Sequence, residues 1–132
     1  MIQRKVVYIE EGMDKTSDAV NTMLEQLGYV EDAAGAYTST FRKRGETIEV
    51  FLYCHKLKAV RIELYGGIID AIYEIDPTTC RSISRVFKLH IAALSQDDLD
   101  VVNENGRIPV IDAEATDPYR YFTWSRPEVG GD

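Results

Sequence analysis

Apolar and polar positions alternate through residues 37–75 in four short runs separated by turn residues, the pattern of a β-meander. Its clearest joint is Leu64-Tyr65-Gly66-Gly67-Ile68-Ile69, a Gly-Gly pair between two apolar runs. Such a pair favours a two-residue hairpin turn, because both central residues need positive φ and glycine takes it without strain. Counting outward sets Leu64 against Ile69, Ile62 against Ala71 and Val60 against Tyr73, six apolar or aromatic residues on one inner face. A turn at Arg44-Gly45 sets Phe41 against Ile48, Ser39 against Val50 and Tyr37 against Leu52. A three-residue loop at His55-Lys56-Leu57 brings Leu52, Val50 and Ile48 against Val60, Ile62 and Leu64.

Elsewhere the spacing changes. Val6 to Ile9 is a β-prone run broken by Glu11-Gly12. Ala19, Val20, Met23, Leu24 and Leu27 then recur at helical spacing, which predicts a helix over roughly residues 15–27. Asp14 or Thr16 caps its start, and Gly28 suits the left-handed position just past its end. Asp76-Pro77-Thr78-Thr79 reads as a stop and a new cap. A second helix is expected from about Cys80 to Leu94, with Ile83, Val86, Phe87, His90, Ile91 and Leu94 as its stripe and Arg81, Arg85 and Lys88 opposite. Ser95 with Asp98 forms a capping box for a short acidic helix ending near Gly106. Pro109 makes residues 107–111 an edge segment or no strand.

The expected fold is α+β: a two-layer sandwich of a mainly antiparallel five-stranded sheet with two helices on one face, in β-α-β-β-β-β-α order, plus a short C-terminal helix and an aromatic tail. The first strand is expected beside residues 68–75, giving the order 2-3-4-5-1. Residues 1–111 form a single domain, and residues 112–132 an irregular aromatic and acidic segment.

At 132 residues the chain can bury a core without staples. No apolar run approaches the roughly 20 residues that span a bilayer, and no secretory signal opens the sequence. A cytosolic setting is expected, with Cys54 and Cys80 as free thiols. The net charge of −7 is concentrated late, since residues 95–132 hold nine acidic residues against three arginines. That balance argues against a nucleic-acid partner, which usually meets a basic footprint.

The same register defines the outer face. It aligns Thr40, Glu49, Glu63 and Asp70 in one row, with Arg42, Phe51, Tyr53, Arg61, Tyr65 and Ile72 around them. Three carboxylates on adjacent strands, about 4.8 Å apart, repel one another and need an account. Arg42 and Arg61 neutralising a solvated face is one. A protein-binding face is another, for a partner or a second copy of the chain, with Tyr121 and Trp124 of the DPYRYFTW stretch contributing; its mixture of aromatics, arginine and apolar residues resembles interface cores. A small acidic inhibitor or regulatory protein without catalysis or cofactor is the leading expectation. The enzyme alternative is a hydrolase or lyase using Glu49, Glu63 and Asp70, with Tyr53 or Tyr65 positioning and a divalent metal as option. A small-molecule pocket between sheet and tail is a third. His90 reads as a core histidine, Cys54 and His55 diverge as strand neighbours, and Gly66-Gly67 is no phosphate loop, because no helix follows it.

Overall fold

Two sheets and two helices share the core. The computed structural model describes residues 5–53, 58–111 and, as backbone, 122–125. In chain order the elements are β1 (Val6–Glu10), α1 (Ser17–Gln26), β2 (Val30–Glu31), β3 (Thr40–Arg44), β4 (Thr47–Phe51), β5 (Ala59–Tyr65), β6 (Ile68–Ile75), β7 (Ser82–Val86), β8 (Lys88–Ala92), α2 (Gln96–Asn105) and β9 (Phe122–Ser125). The larger sheet runs β2-β3-β4-β5-β6-β7 and the smaller one β1-β8-β9. Only the short β2 pairs in parallel, so the six-stranded sheet is mixed rather than the antiparallel five expected. The α+β class holds.

Local chemistry explains the helices. Thr16 is the N-cap of α1 and accepts a hydrogen bond from the Ala19 amide at 3.1 Å. At its other end Gly28 lies at φ +98°, and the Gly28 and Tyr29 amides donate to the carbonyls of Glu25 and Leu24, both at 3.0 Å. That is a Schellman closure, and it explains the glycine. The Ser95–Asp98 capping box opens α2, which ends at Gly106.

The Gly66-Gly67 turn has two residues, at φ +58° and +79°, and Leu64 does face Ile69. One step later a β-bulge leaves Asp70 without a partner, so that Glu63 faces Ala71 and Ile62 faces Ile72. Ile72 therefore turns into the core and Tyr73 turns out, the reverse of the expected arrangement. The other two pairings slide by two residues, which keeps the paired side chains of β3, β4 and β5 on their faces. Phe41 meets Val50, Ile48 meets Ile62, and Glu49 meets Arg61. The expected acidic row is absent, for the bulge parts Asp70 from Glu63 and the slide parts Glu63 from Glu49. The loop at His55-Lys56-Leu57, like Cys54, lies outside the described residues.

No second helix covers residues 80–94; they form β7 and β8. The Asp76 carboxylate accepts the Thr78 and Thr79 amides at 2.8 and 2.9 Å, making a turn where a helix cap was expected. These bonds, Thr79's first, hold its pKa below the usual carboxylate range. The chain then reverses onto β6, and at Phe87 it passes from the larger sheet into the smaller. There β8 pairs with β1, which is therefore not the partner of β6. The nearer neighbours of β6 are residues 12–15: the Gly12 amide donates to Ile69 at 2.8 Å, and the Lys15 amide to Gly67 at 2.8 Å.

Val20, Leu24 and Leu27 of α1 join Ile48, Val50, Val60, Ile62 and Ile72 of the large sheet and Ile9, Leu89 and Ile91 of the small one in a single core. The chain at 36–38 is tied to 108–110 by two backbone bonds, so Pro109 sits in an extended edge contact as its chemistry suggested. Among the described residues no helix is long and apolar enough to cross a membrane.

Candidate functional site

The outer face of the six-stranded sheet carries two parallel rows. Phe51, Ala59 and Ile75 form the first and are buried with Val110 in a small second cluster, against which Tyr73 and Cys80 pack. Gly35, at φ +63°, closes over this row. A Cβ there would come within 2.9 Å of the Phe51 ring and of Arg42 Nη1, so only glycine permits the approach.

The second row reads Arg42, Glu49, Arg61, Tyr73 and Arg85, cross-strand neighbours from β3 to β7. Register alternates charge where like charges were expected. Arg42 and Glu49 are ion-paired with side chains only 11% and 8% exposed. The Arg42 guanidinium also lies 5.6 Å from the centre of the Phe51 ring, and its Nη2 donates to Cys80 Sγ at 2.9 Å. Arg61 donates from Nε to Glu63 at 3.1 Å, from Nη1 to the Cys80 carbonyl at 3.3 Å, and from Nη2 to the Ser82 hydroxyl. Its guanidinium stacks 5.3 Å from the Tyr73 ring. At the open end Arg85 pairs with Glu11 at 2.7 Å, and the hydrogen bond to Glu11 raises its pKa further.

Cys80 joins these arginines through backbone geometry. It holds φ +63° without being glycine, the conformation that lets its turn bring sulfur to Arg42 and carbonyl to Arg61. It is a free thiol among the described residues.

The residues singled out from the sequence separate into four places. Glu49, Arg61 and Glu63 do share the outer face of the sheet, with Glu49 and Phe51 buried on it. Tyr65 is 77% exposed at the hairpin tip, and Asp70 sits exposed on the bulge. Tyr53 and Ile72 leave the face. Tyr53 is buried, its hydroxyl donating to Asp98 at 3.1 Å and its amide to the Tyr29 hydroxyl at 2.9 Å, while Ile72 is core. The backbone of Trp124 pairs with Leu89 in the smaller sheet, and Tyr121 lies outside the described residues.

Two members of the row escaped the sequence reading. Tyr73 was turned inward by the missed bulge, and Arg85 was assigned to a helix. Residues 82–86 show no clean alternation, and the β-branched Ile83 and Val86 were their only strand signal. His90, expected in the core, is exposed on β8 with its ring 4.9 Å from that of Tyr8. The Tyr8 hydroxyl donates to Glu10, which raises the tyrosine's pKa.

The arrangement suits recognition. Among the described residues no three His, Cys, Asp or Glu side chains are grouped to hold a metal. Glu49 and Glu63, the carboxylates offered for acid and base work, are each engaged by an arginine.

A family model described as "UvrB interaction domain" matches residues 7–96. Among curated proteins, UvrABC system protein B of Nitratidesulfovibrio vulgaris (strain DSM 19637 / Miyazaki F) is 37% identical over 83 residues, 63% of this chain and 12% of that protein. UvrABC system protein B of Clostridium botulinum (strain Loch Maree / Type A3) is 30% identical over 108 residues, 78% of the chain and 16% of the protein. That of Syntrophotalea carbinolica is 35% identical over 81 residues, 61% of the chain and 12% of the protein. The chain thus spans under a fifth of the length of these relatives. These matches overturn two expectations, the generic acidic inhibitor or regulatory protein and the carboxylate hydrolase or lyase. Size and charge had suggested the first, and a register that does not form had suggested the second.

Proposed function

Since the chain belongs to the UvrB interaction domain family, we propose that it is the protein-docking domain of a UvrB-like nucleotide excision repair protein working in the cytoplasm. Its partner in this reading is UvrA of the UvrABC system, and the docking surface is the row Arg42, Glu49, Arg61, Tyr73 and Arg85 with Glu63 and Tyr65 at its margin. The carrying observation is that the family match over residues 7–96 contains every one of these positions.

Chemistry supports the choice of face. Arginine and tyrosine are over-represented among residues that dominate binding energy, and here they are already oriented by neighbours. Interleaved Glu49 and Glu63 make the surface alternate in sign. A protein of complementary alternating charge fits that better than a nucleic-acid backbone, which offers phosphate alone.

Pull-down and calorimetry with purified UvrA test the reading, comparing the unaltered chain with Arg85→Glu and Arg61→Glu. Arg85 is half exposed, so its variant keeps the fold, and circular dichroism checks both. Each reversal is expected to weaken association about tenfold or more. Undiminished binding by both variants would remove the row from the interface. Sedimentation of the chain alone distinguishes docking onto UvrA from self-association.

A further inference from the structure

Beyond the charged row, Tyr37 divides two adjoining cavities. One, of about 460 Å³, is lined by Glu31, Asp32, Asn105 and Arg107 together with Tyr37. The other, of about 280 Å³, has Pro77, Pro109 and Ile111 in its wall together with the same tyrosine. The larger is within the range of ligand sites in proteins. Tyr37 is 42% exposed, and its backbone is pinned on both sides, Thr38 donating to the Ile108 carbonyl at 2.9 Å and Val110 to that of Ala36 at 2.8 Å.

The first cavity favours a cation. Neither Glu31 nor Asp32 makes an ion pair among the described residues. Arg107, the cation already present, donates to the carbonyls of Gly28 and Ser39 at 3.0 Å each and to the Ser39 hydroxyl. The C-terminus of α2 closes the site with Asn105 and Gly106, and no basic residue sits in its last turn. The negative end of its helix dipole adds partial charge of the same sign. An aromatic ring beside two carboxylates and a helix C-terminus is a setting for a lysine or arginine side chain. The second cavity is the opposite in character, with two proline rings and Ile111, which is 79% exposed. It suits an apolar side chain.

We infer that the Tyr37 groove docks an extended segment of a partner protein, with a basic side chain in the Glu31–Asp32 cavity and a neighbouring apolar side chain against Pro77, Pro109 and Ile111. This goes beyond the UvrA-docking reading and uses no residue of the charged row. Tyr37 serves both cavities, so one side chain couples the two specificities.

The test is an NMR titration of the ¹⁵N-labelled chain with a short peptide of alternating leucine and lysine, against one of alternating leucine and glutamate. The lysine peptide is expected to shift the amides of Asp32, Tyr37, Asn105, Gly106 and Ile111, with a dissociation constant on the order of 10⁻⁴ M, the weak regime of small transient contacts. Glu31→Gln with Asp32→Asn should weaken it about fivefold, and Tyr37→Ala should abolish it. Ile111→Ser, at an exposed position that cannot unfold the chain, should weaken it too. Arg85→Glu should leave it unchanged, which separates this result from failure or success of the charged-row reading. Equal binding of both peptides, shifts confined to the charged row, concentration-dependent shifts without peptide, or no shift at about ten times that constant would each overturn the inference.

Discussion

The two faces of the six-stranded sheet come from the same strands and are held by different physics. Inward, Ile48, Val50, Val60, Ile62 and Ile72 are fully buried. Each such side chain contributes roughly 1.5–3 kcal/mol through burial. Outward, beside the roofed Phe51 row, polar groups are held by pairing. The partly exposed Arg61–Glu63 pair contributes about 0–1 kcal/mol, whereas Arg42–Glu49 is nearly buried, and removing one partner there leaves an uncompensated charge. Stability therefore resides mostly on one face, and the other is left to present charge. Away from the buried Arg42–Glu49 pair, a recognition surface built this way can change with little cost to the fold.

Two substitutions and one deletion sharpen or break that contrast. Ile62→Ala, at the centre of the inner face, is expected to cost about 3 kcal/mol in urea unfolding, through lost transfer energy and an unfilled cavity. A loss below about 1 kcal/mol would mean that the core does not centre on this residue. On the outer face, Glu49→Gln leaves the nearly buried Arg42 guanidinium without its ion-pair partner and removes the negative charge that stands between it and Arg61 across β4. A loss of about 2 kcal/mol is expected, shrinking as added salt screens the two cations. A loss that ignores salt would contradict the charge account. Least costly is removal of Asp70 altogether. The bulge residue pairs with nothing, so deletion should regularise the β5–β6 ladder, keep Glu63 opposite Ala71 and change stability by less than about 1 kcal/mol. Cross-strand NMR contacts between Glu63 and Ala71 would check it; their loss would show that the bulge itself sets the register.

The bulge also marks the limit of what could be read from residue order. The glycine pair at 66–67 gave the turn length and the Leu64–Ile69 pairing, both local consequences of positive φ. Nothing in Ile69-Asp70-Ala71-Ile72 announces an extra residue, because apolar side chains stand on either side of every candidate register. One unseen step turned Tyr73 outward, turned Ile72 inward and dissolved a row of three carboxylates. The two-residue slides between β3, β4 and β5 did no such harm, for a shift by an even number preserves the face. Accordingly Glu49, Arg61 and Glu63 do lie on one side of the sheet, though with other neighbours than expected and with Glu49 buried against Arg42.

Residues 80–94 teach a second limit. Ile83, Val86, Phe87, His90, Ile91 and Leu94 match helical spacing, while Leu89 and Ile91 alternate with Lys88 and His90 as a strand requires. Both patterns are present because the chain changes sheets at Phe87, which breaks the period of two. Only the open edge of β6 and the free β1 decide between them, by offering backbone partners that a helix could not use.

Sequence by itself determined what depends on a few adjacent residues: α1 between Thr16 and Gly28, α2 behind its Ser95–Asp98 box, the Gly66-Gly67 hairpin and the α+β class. Caps and turns are closed by bonds spanning three or four residues, so their information is local. Tertiary structure alone decided the strand identity of residues 82–92, the separate β1-β8-β9 sheet, the bulge at Asp70 and the alternating row from Arg42 to Arg85. Those features depend on partners distant in the chain, and an ambiguous periodicity is resolved only when such a partner supplies the backbone bonds and the buried surface.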